Sequence, residues 1–123
     1  MLTEAELVAF VPSEDIDRSR RFYERTLALR LVEQTAFACV FQAPNAQLRV
    51  TLVERAARAP YTVLGWQVAD LAAMVHELRA RGIETRRYDG LVQDELNVWR
   101  APSGAQVIWF EDPDGNLLSL TQG

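Results

Sequence analysis

Trp109-Phe110-Glu111-Asp112-Pro113-Asp114-Gly115-Asn116-Leu117-Leu118-Ser119-Leu120-Thr121-Gln122 reads as a strand, a tight turn and a second strand. Asp112 can accept hydrogen bonds from the backbone two residues on. Pro113 pre-sets φ for the turn, and Asp114-Gly115 supplies a residue able to take φ > 0. Apolar residues alternate on either side, so one face of each strand is buried and the other looks elsewhere. What that second face looks at decides the function.

Working outward, the same grammar recurs. Leu7 to Val11 is an apolar run that Pro12 is expected to stop, because proline cannot donate to a sheet ladder. Asp15 offers a helix N-cap, and the helix behind it sets Ile16, Ser19, Phe22 and Tyr23 on one stripe. At its end Leu27-Ala28-Leu29 leaves Ala28, rather than a glycine, to take any left-handed cap, at about 1 kcal/mol relative to Gly; a tighter turn is the alternative. Three extended pieces follow, Leu29 to Gln34, Ala36 to Gln42 and Leu48 to Glu54, with Pro44-Asn45 as the turn between the last two.

The Ala- and Arg-rich stretch Arg55 to Pro60 then links two halves, expected as modules 1–56 and 61–123 of a single domain, 1–123. The plan restarts with a strand, Tyr61 to Val68. Asp70 caps a helix whose Leu71, Met74, Val75 and Leu78 share a face and which Gly82 closes. Ile83 to Tyr88 and Leu96 to Arg100 are extended or irregular, and Val107 to Phe110 and Leu117 to Thr121 are strands. The two capping aspartates, and Val8 and Val63 before them, recur at one common offset. Two such halves, each with a helix on one face of a sheet, make an α+β domain whose sheets can curl together around a shared cavity.

Composition narrows the function. A chain of 123 residues buries enough surface to fold without disulfides. Its lone cysteine, Cys39, sits in an apolar run and reads as a buried structural thiol. A net charge of -4, with thirteen arginines spread along the chain and no basic run, excludes a nucleic-acid partner of the ordinary electrostatic kind. No apolar run reaches membrane-spanning length, and Glu4 and Glu6 stand where a signal peptide would be positive. A cytoplasmic location is expected, with no membrane partner.

Val11-(x3)-Asp15-Ile16-Asp17-Arg18-Ser19-(x2)-Phe22-Tyr23, the restart Val68-Ala69-Asp70-Leu71, and Phe110-Glu111-Asp112-Pro113-Asp114-Gly115-Asn116 together resemble the vicinal oxygen chelate superfamily of glyoxalases, bleomycin-resistance proteins and extradiol dioxygenases. The resemblance covers nearly the whole chain. It implies two βαβββ modules forming a curled mixed sheet around a cup, and a homodimer. It also implies a divalent metal held by His, Glu or Gln on the first strand of each module and by a carboxylate on the last strand.

Here those positions are Val8 and Val63 on the first strands and Thr51 and Ser119 on the last ones. Valine has no lone pair, and a neutral hydroxyl alone binds such metals poorly. Neither metal nor other cofactor is therefore expected. His76, the only histidine, falls on the outward side of its helix. Glu6 and Glu111 at the cup mouth could hold at most a hard ion such as Mg.

If the metal-equivalent positions point inward, strand parity lines the cup with Phe10, Arg49, Thr51, Val63, Trp109 and Ser119, and Trp99 stands at its rim. Trp66, of opposite parity, belongs under the helices. This lining points to the metal-free bleomycin-resistance branch. The expected partner is a small hydrophobic or aromatic ligand held by stacking, and Arg49 favours one that is anionic or carbonyl-bearing if no carboxylate neutralises it. No catalytic residue is assigned, since Glu6, Glu54 and Glu111 are the only bases to try and none has an evident partner to tune it. A lyase, isomerase or dioxygenase with displaced metal ligands is the alternative. A closed cup whose sheet edges only dimerise is a third.

Overall fold

A computed structural model describes all residues, 1–123, and its element order is βαβββ twice over. The strands form two four-stranded mixed sheets, one from each βαβββ module, in the expected α+β fold. The chain divides into two compact units, Met1–Arg58 with Asp112–Asn116, and Ala59–Glu111 with Leu117–Gly123.

In the first unit β1 (Leu7–Ser13) runs parallel to β4 (Ala46–Leu52), which pairs antiparallel with β3 (Ala38–Ala43), and β3 with β2 (Arg30–Gln34). Pro12 does not end β1. The strand lies at the sheet edge, where a missing N–H is tolerated, and the Pro12 carbonyl accepts from Asn116 Nδ2 at 2.9 Å. The register sets Val11, Val50 and Cys39 side by side, all within 1 % of full burial. Burial pushes the Cys39 thiol up to about 11, the inert state its apolar run foreshadows.

Asp15 caps α1 (Ile16–Arg20), accepting from the Arg18 N–H at 3.0 Å. The helix then widens into six residues of π-helix, Arg21–Thr26, which the residue pattern does not foretell. Leu27 N–H donates to Phe22 O and Leu29 N–H to Tyr23 O, both at 2.9 Å, and Ala28 takes φ 58°. The left-handed cap is therefore present, after a wider turn rather than a tighter one. Ile16, Ser19, Phe22 and Tyr23 are all buried as the stripe predicts.

The turn of the opening motif completes this unit. Asp112 Oδ1 accepts from the N–H groups of Asp114 and Asn116, both at 2.9 Å, and Gly115 takes φ 81° beneath the Arg58 side chain. Asp112 Oδ2 accepts from the Tyr23 hydroxyl at 2.6 Å and from Asn116 Nδ2 at 2.7 Å. Asp114 accepts from the Glu14 N–H, Arg18 Nη2 and Ser19 Oγ at 2.8, 2.8 and 3.1 Å. Both aspartates are buried, which is sustainable only because every carboxylate oxygen has a donor.

In the second unit β5 (Leu64–Gln67) runs parallel to β8 (Leu117–Gln122), which pairs with β7 (Gln106–Glu111), and β7 with the two-residue β6 (Trp99–Arg100). The expected strand from Tyr61 to Val68 shortens to Leu64–Gln67. Asp70 caps α2 (Leu71–Ala80) by accepting from the Ala73 N–H at 3.1 Å. Leu71, Val75 and Leu78 are buried, whereas Met74, expected with them, is 38 % exposed. On the face of β7 and β8 opposite Trp109 and Ser119, Ile108, Phe110, Leu118 and Leu120 are buried, each worth roughly 1.5–3 kcal/mol of burial. Trp66 pairs with Leu120 on that face, half-buried rather than deep in the core.

Candidate functional site

The faces turned away from the helices carry the candidate residues. In the first unit Phe10 stands beside Arg49 and Pro12 beside Thr51 across the β1–β4 ladder. Phe10 is 61 % exposed. Arg49 is half-buried, and no acidic side chain forms an ion pair with it.

In the second unit the register aligns Gly65, Ser119 and Trp109 across β5, β8 and β7. A side chain at Gly65 would crowd Ser119. A Cβ on it would lie 2.6 Å from Ser119 Oγ, so the row is a low floor of glycine and hydroxyl ending in an indole. Val63, on the β5 side, donates its N–H to Leu117 O at 2.9 Å and leaves its side chain 38 % exposed. Trp99 pairs with Val107 on β7, and its ring lies 5.9 Å from that of Trp109 at 36°.

Two further residues join this row that strand parity does not reach. Tyr88 meets Trp109 edge-on, with ring centroids 5.5 Å apart at 86°, an arrangement that matches the positive ring edge to a negative face. Arg86 places its guanidinium carbon 6.0 Å from the Tyr88 centroid and pairs Nη1 with Glu111 Oε1 at 3.2 Å. Their segment is tied to the sheet by one backbone bond, Arg86 N–H to Trp109 O at 2.7 Å, and without a ladder its parity is not readable. Trp109 Nε1 donates to Thr62 Oγ1 at 3.1 Å, which satisfies the indole and fixes its plane. The result is a wall of three rings with Trp109 in the middle, all half-buried.

Elsewhere on this unit an open groove of about 540 Å³ is lined by Arg79, Gly82, Ile83, Glu84, Thr85 and Asn97, none of them a candidate from the sequence. His76 is exposed on α2, as its register predicts.

The donor set at the metal-equivalent positions does not fit a metal. Val8 and Val63 offer no electron pair and Thr51 and Ser119 only neutral hydroxyls. Nowhere do three His, Cys, Asp or Glu side chains gather as a coordinating group. No helix is long and apolar enough to cross a membrane.

Comparison with curated protein sequences finds no match. Solved structures share the fold. A glyoxalase family protein from Bacillus anthracis superposes with a TM-score of 0.78 at 16% identity over 98% of this chain and 95% of its own. A lactoylglutathione lyase from Agrobacterium tumefaciens gives 0.72 at 19% over 100% and 96%. A glyoxalase/bleomycin resistance protein/dioxygenase from Alicyclobacillus acidocaldarius gives 0.69 at 20% over 97% and 91%. These likenesses carry the fold alone. Residues 7–120 match the family model described as Glyoxalase/Bleomycin resistance protein/Dioxygenase superfamily, and the chain belongs to that superfamily.

Proposed function

We propose that this chain is a small-molecule-binding protein that sequesters an aromatic, antibiotic-like ligand without a catalytic metal, in the manner of bleomycin-resistance proteins. The observation that carries the reading is the wall Tyr88–Trp109–Trp99 standing beside the floor of Gly65 and Ser119. Half-buried rings next to a residue with no side chain present a flat apolar surface. Stacking there contributes roughly 0.5–1.5 kcal/mol per ring pair beyond area burial, so a few contacts with hydrogen bonds to Ser119 support micromolar affinity. Binding needs no base or Lewis acid, and the valines at the metal-equivalent positions remove the donors that catalysis in this superfamily would call on.

The protein acts in the cytoplasm as a homodimer on this reading. Phe10, 61 % exposed on β1, is apolar surface that a second copy would cover.

Titration of tryptophan fluorescence with a panel of aromatic and amphipathic small molecules tests the proposal. Saturable quenching is expected, and Trp109→Ala should abolish it. Near-stoichiometric transition metal in protein purified without chelator would overturn the metal-free reading in favour of a lyase, isomerase or dioxygenase with displaced ligands. Sedimentation equilibrium checks the dimer.

A further inference from the structure

We infer that the ligand of the aromatic wall is an anion, an aromatic carboxylate, and that Arg86 is the residue that reads its charge; this rests on the ligand-binding reading above. Three indole and phenol faces would by themselves favour a cation, because the ring quadrupole is negative over the face. At Tyr88 that seat is taken. The Arg86 guanidinium carbon lies 6.0 Å from the Tyr88 centroid, and the residue is held in place by its own N–H, bonded to Trp109 O at 2.7 Å. A cationic ligand on the wall would lie beside that cation.

An anion meets the opposite situation. Arg86 is paired with Glu111 at 3.2 Å, and the two side chains are 48 % and 31 % exposed. A pair so open to water holds its partners weakly. Glu111 also lies two residues beyond Trp109 on β7, on the same face, so the protein already seats one carboxylate at the end of the aromatic wall. A ligand whose ring stacks on Trp109 brings a second carboxylate to the same guanidinium. The exchange replaces one exposed ion pair by another, while the planar fork of arginine can hold the incoming group by two parallel hydrogen bonds. Ring recognition and charge recognition thus lie side by side in one unit, with Glu111 as an internal competitor that keeps the site closed to weak anions.

The test uses three probes of one ring system: naphthalene-2-carboxylate, naphthalene-2-carboxamide and 2-naphthylmethylammonium, titrated by equilibrium dialysis against the full chain. The carboxylate should bind about tenfold tighter than the amide, the gain expected of one charge-assisted contact, and the ammonium weakest. Arg86→Gln should bring carboxylate and amide to within about twofold of each other, and Arg86→Lys should keep part of the preference. Glu111→Gln should strengthen the carboxylate only. Equal binding of all three probes, or tightest binding of the ammonium, overturns the anionic inference while ligand binding stands. A carboxylate preference that survives in Arg86→Gln overturns the role of Arg86. Failure of every probe to bind overturns the inference together with the reading beneath it.

Discussion

Single residues carry constraints that can be weighed one at a time. Ala28 sits at φ 58°, where a Cβ crowds the following carbonyl. Replacing it by glycine relieves that strain and gives back part of the gain as unfolded-state entropy. Ala28→Gly is expected to stabilise the protein by about 0.5–1 kcal/mol, read as a higher urea midpoint with unchanged slope. Tyr23 is the converse case. Burial first, and the Asp112 carboxylate second, raise its phenol well above the ordinary range, so it stays a donor at 2.6 Å from Asp112 Oδ2. Tyr23→Phe leaves a buried carboxylate oxygen short of one donor and should destabilise by about 1.5–3 kcal/mol, measured by denaturant unfolding. Cys39 adds a pH signature. Its thiol is raised from 9.0 to about 11 by burial, so the fold holds a proton that the unfolded chain releases first. The associated stability is whole below pH 9.0 and lost as pH climbs to about 11. Native protein at pH 8 should resist iodoacetamide, and modification at the unfolded rate would contradict a closed core.

At the scale of elements, the helix starts were legible because an N-cap is a local device. Asp15 and Asp70 each bond an N–H three residues on, and no other part of the chain is consulted. The π-helical turn was not legible, since nothing in Arg21–Thr26 distinguishes its pattern from ordinary helix. The segment between α2 and β6 is the other case. It forms no ladder strand beyond a Gln93–Trp99 bridge, and much of its order comes from Gln93, 8 % exposed, whose Oε1 accepts from the Tyr88 N–H at 2.8 Å and whose Nε2 donates to Arg86 O at 3.0 Å and Asn97 O at 2.8 Å. One side chain does the work of a strand partner there. Gln93→Met keeps the volume and strands three backbone groups, at about 1–3 kcal/mol for each left unpaired. Its expected signature is faster hydrogen exchange at Tyr88 and a weaker near-ultraviolet circular dichroism signal from Trp99 and Trp109, with β7 and β8 amides unchanged. Loss of protection across both strands would mean global unfolding instead.

For the whole molecule the consequential feature is that Asp112–Asn116, encoded late in the chain, belongs to the first unit. It supplies partners to Pro12 O, Tyr23, Ser19, Arg18 and the Glu14 N–H. A polypeptide of residues 1–58 lacks all of these, leaving the Tyr23 hydroxyl without its Asp112 acceptor and Ser19 with Ser13 alone. It should be unfolded by far-ultraviolet circular dichroism, and a cooperative melt of that fragment would show that the late turn is dispensable. Asp114→Ala in the full chain should destabilise by about 1–3 kcal/mol, because it removes a buried carboxylate that accepts from three donors. The family match over residues 7–120 fits this economy: order from end to end is needed to complete the first half.

The sequence by itself determined the repeated strand–helix–strand plan, both helix caps, the Asp112-to-Gly115 turn and the absence of metal donors at Val8, Val63, Thr51 and Ser119. Each of these depends on residues a few positions apart or on side-chain chemistry alone. Period-two parity also placed Trp109 and Ser119 on one face, since a strand alternates whatever its neighbours. Only the tertiary structure decided that the late turn locks onto Tyr23 and Ser19, and that Tyr88 and Arg86 gather around Trp109. Those are meetings of segments distant in sequence, one of them outside any ladder, and neither propensity nor periodicity encodes them.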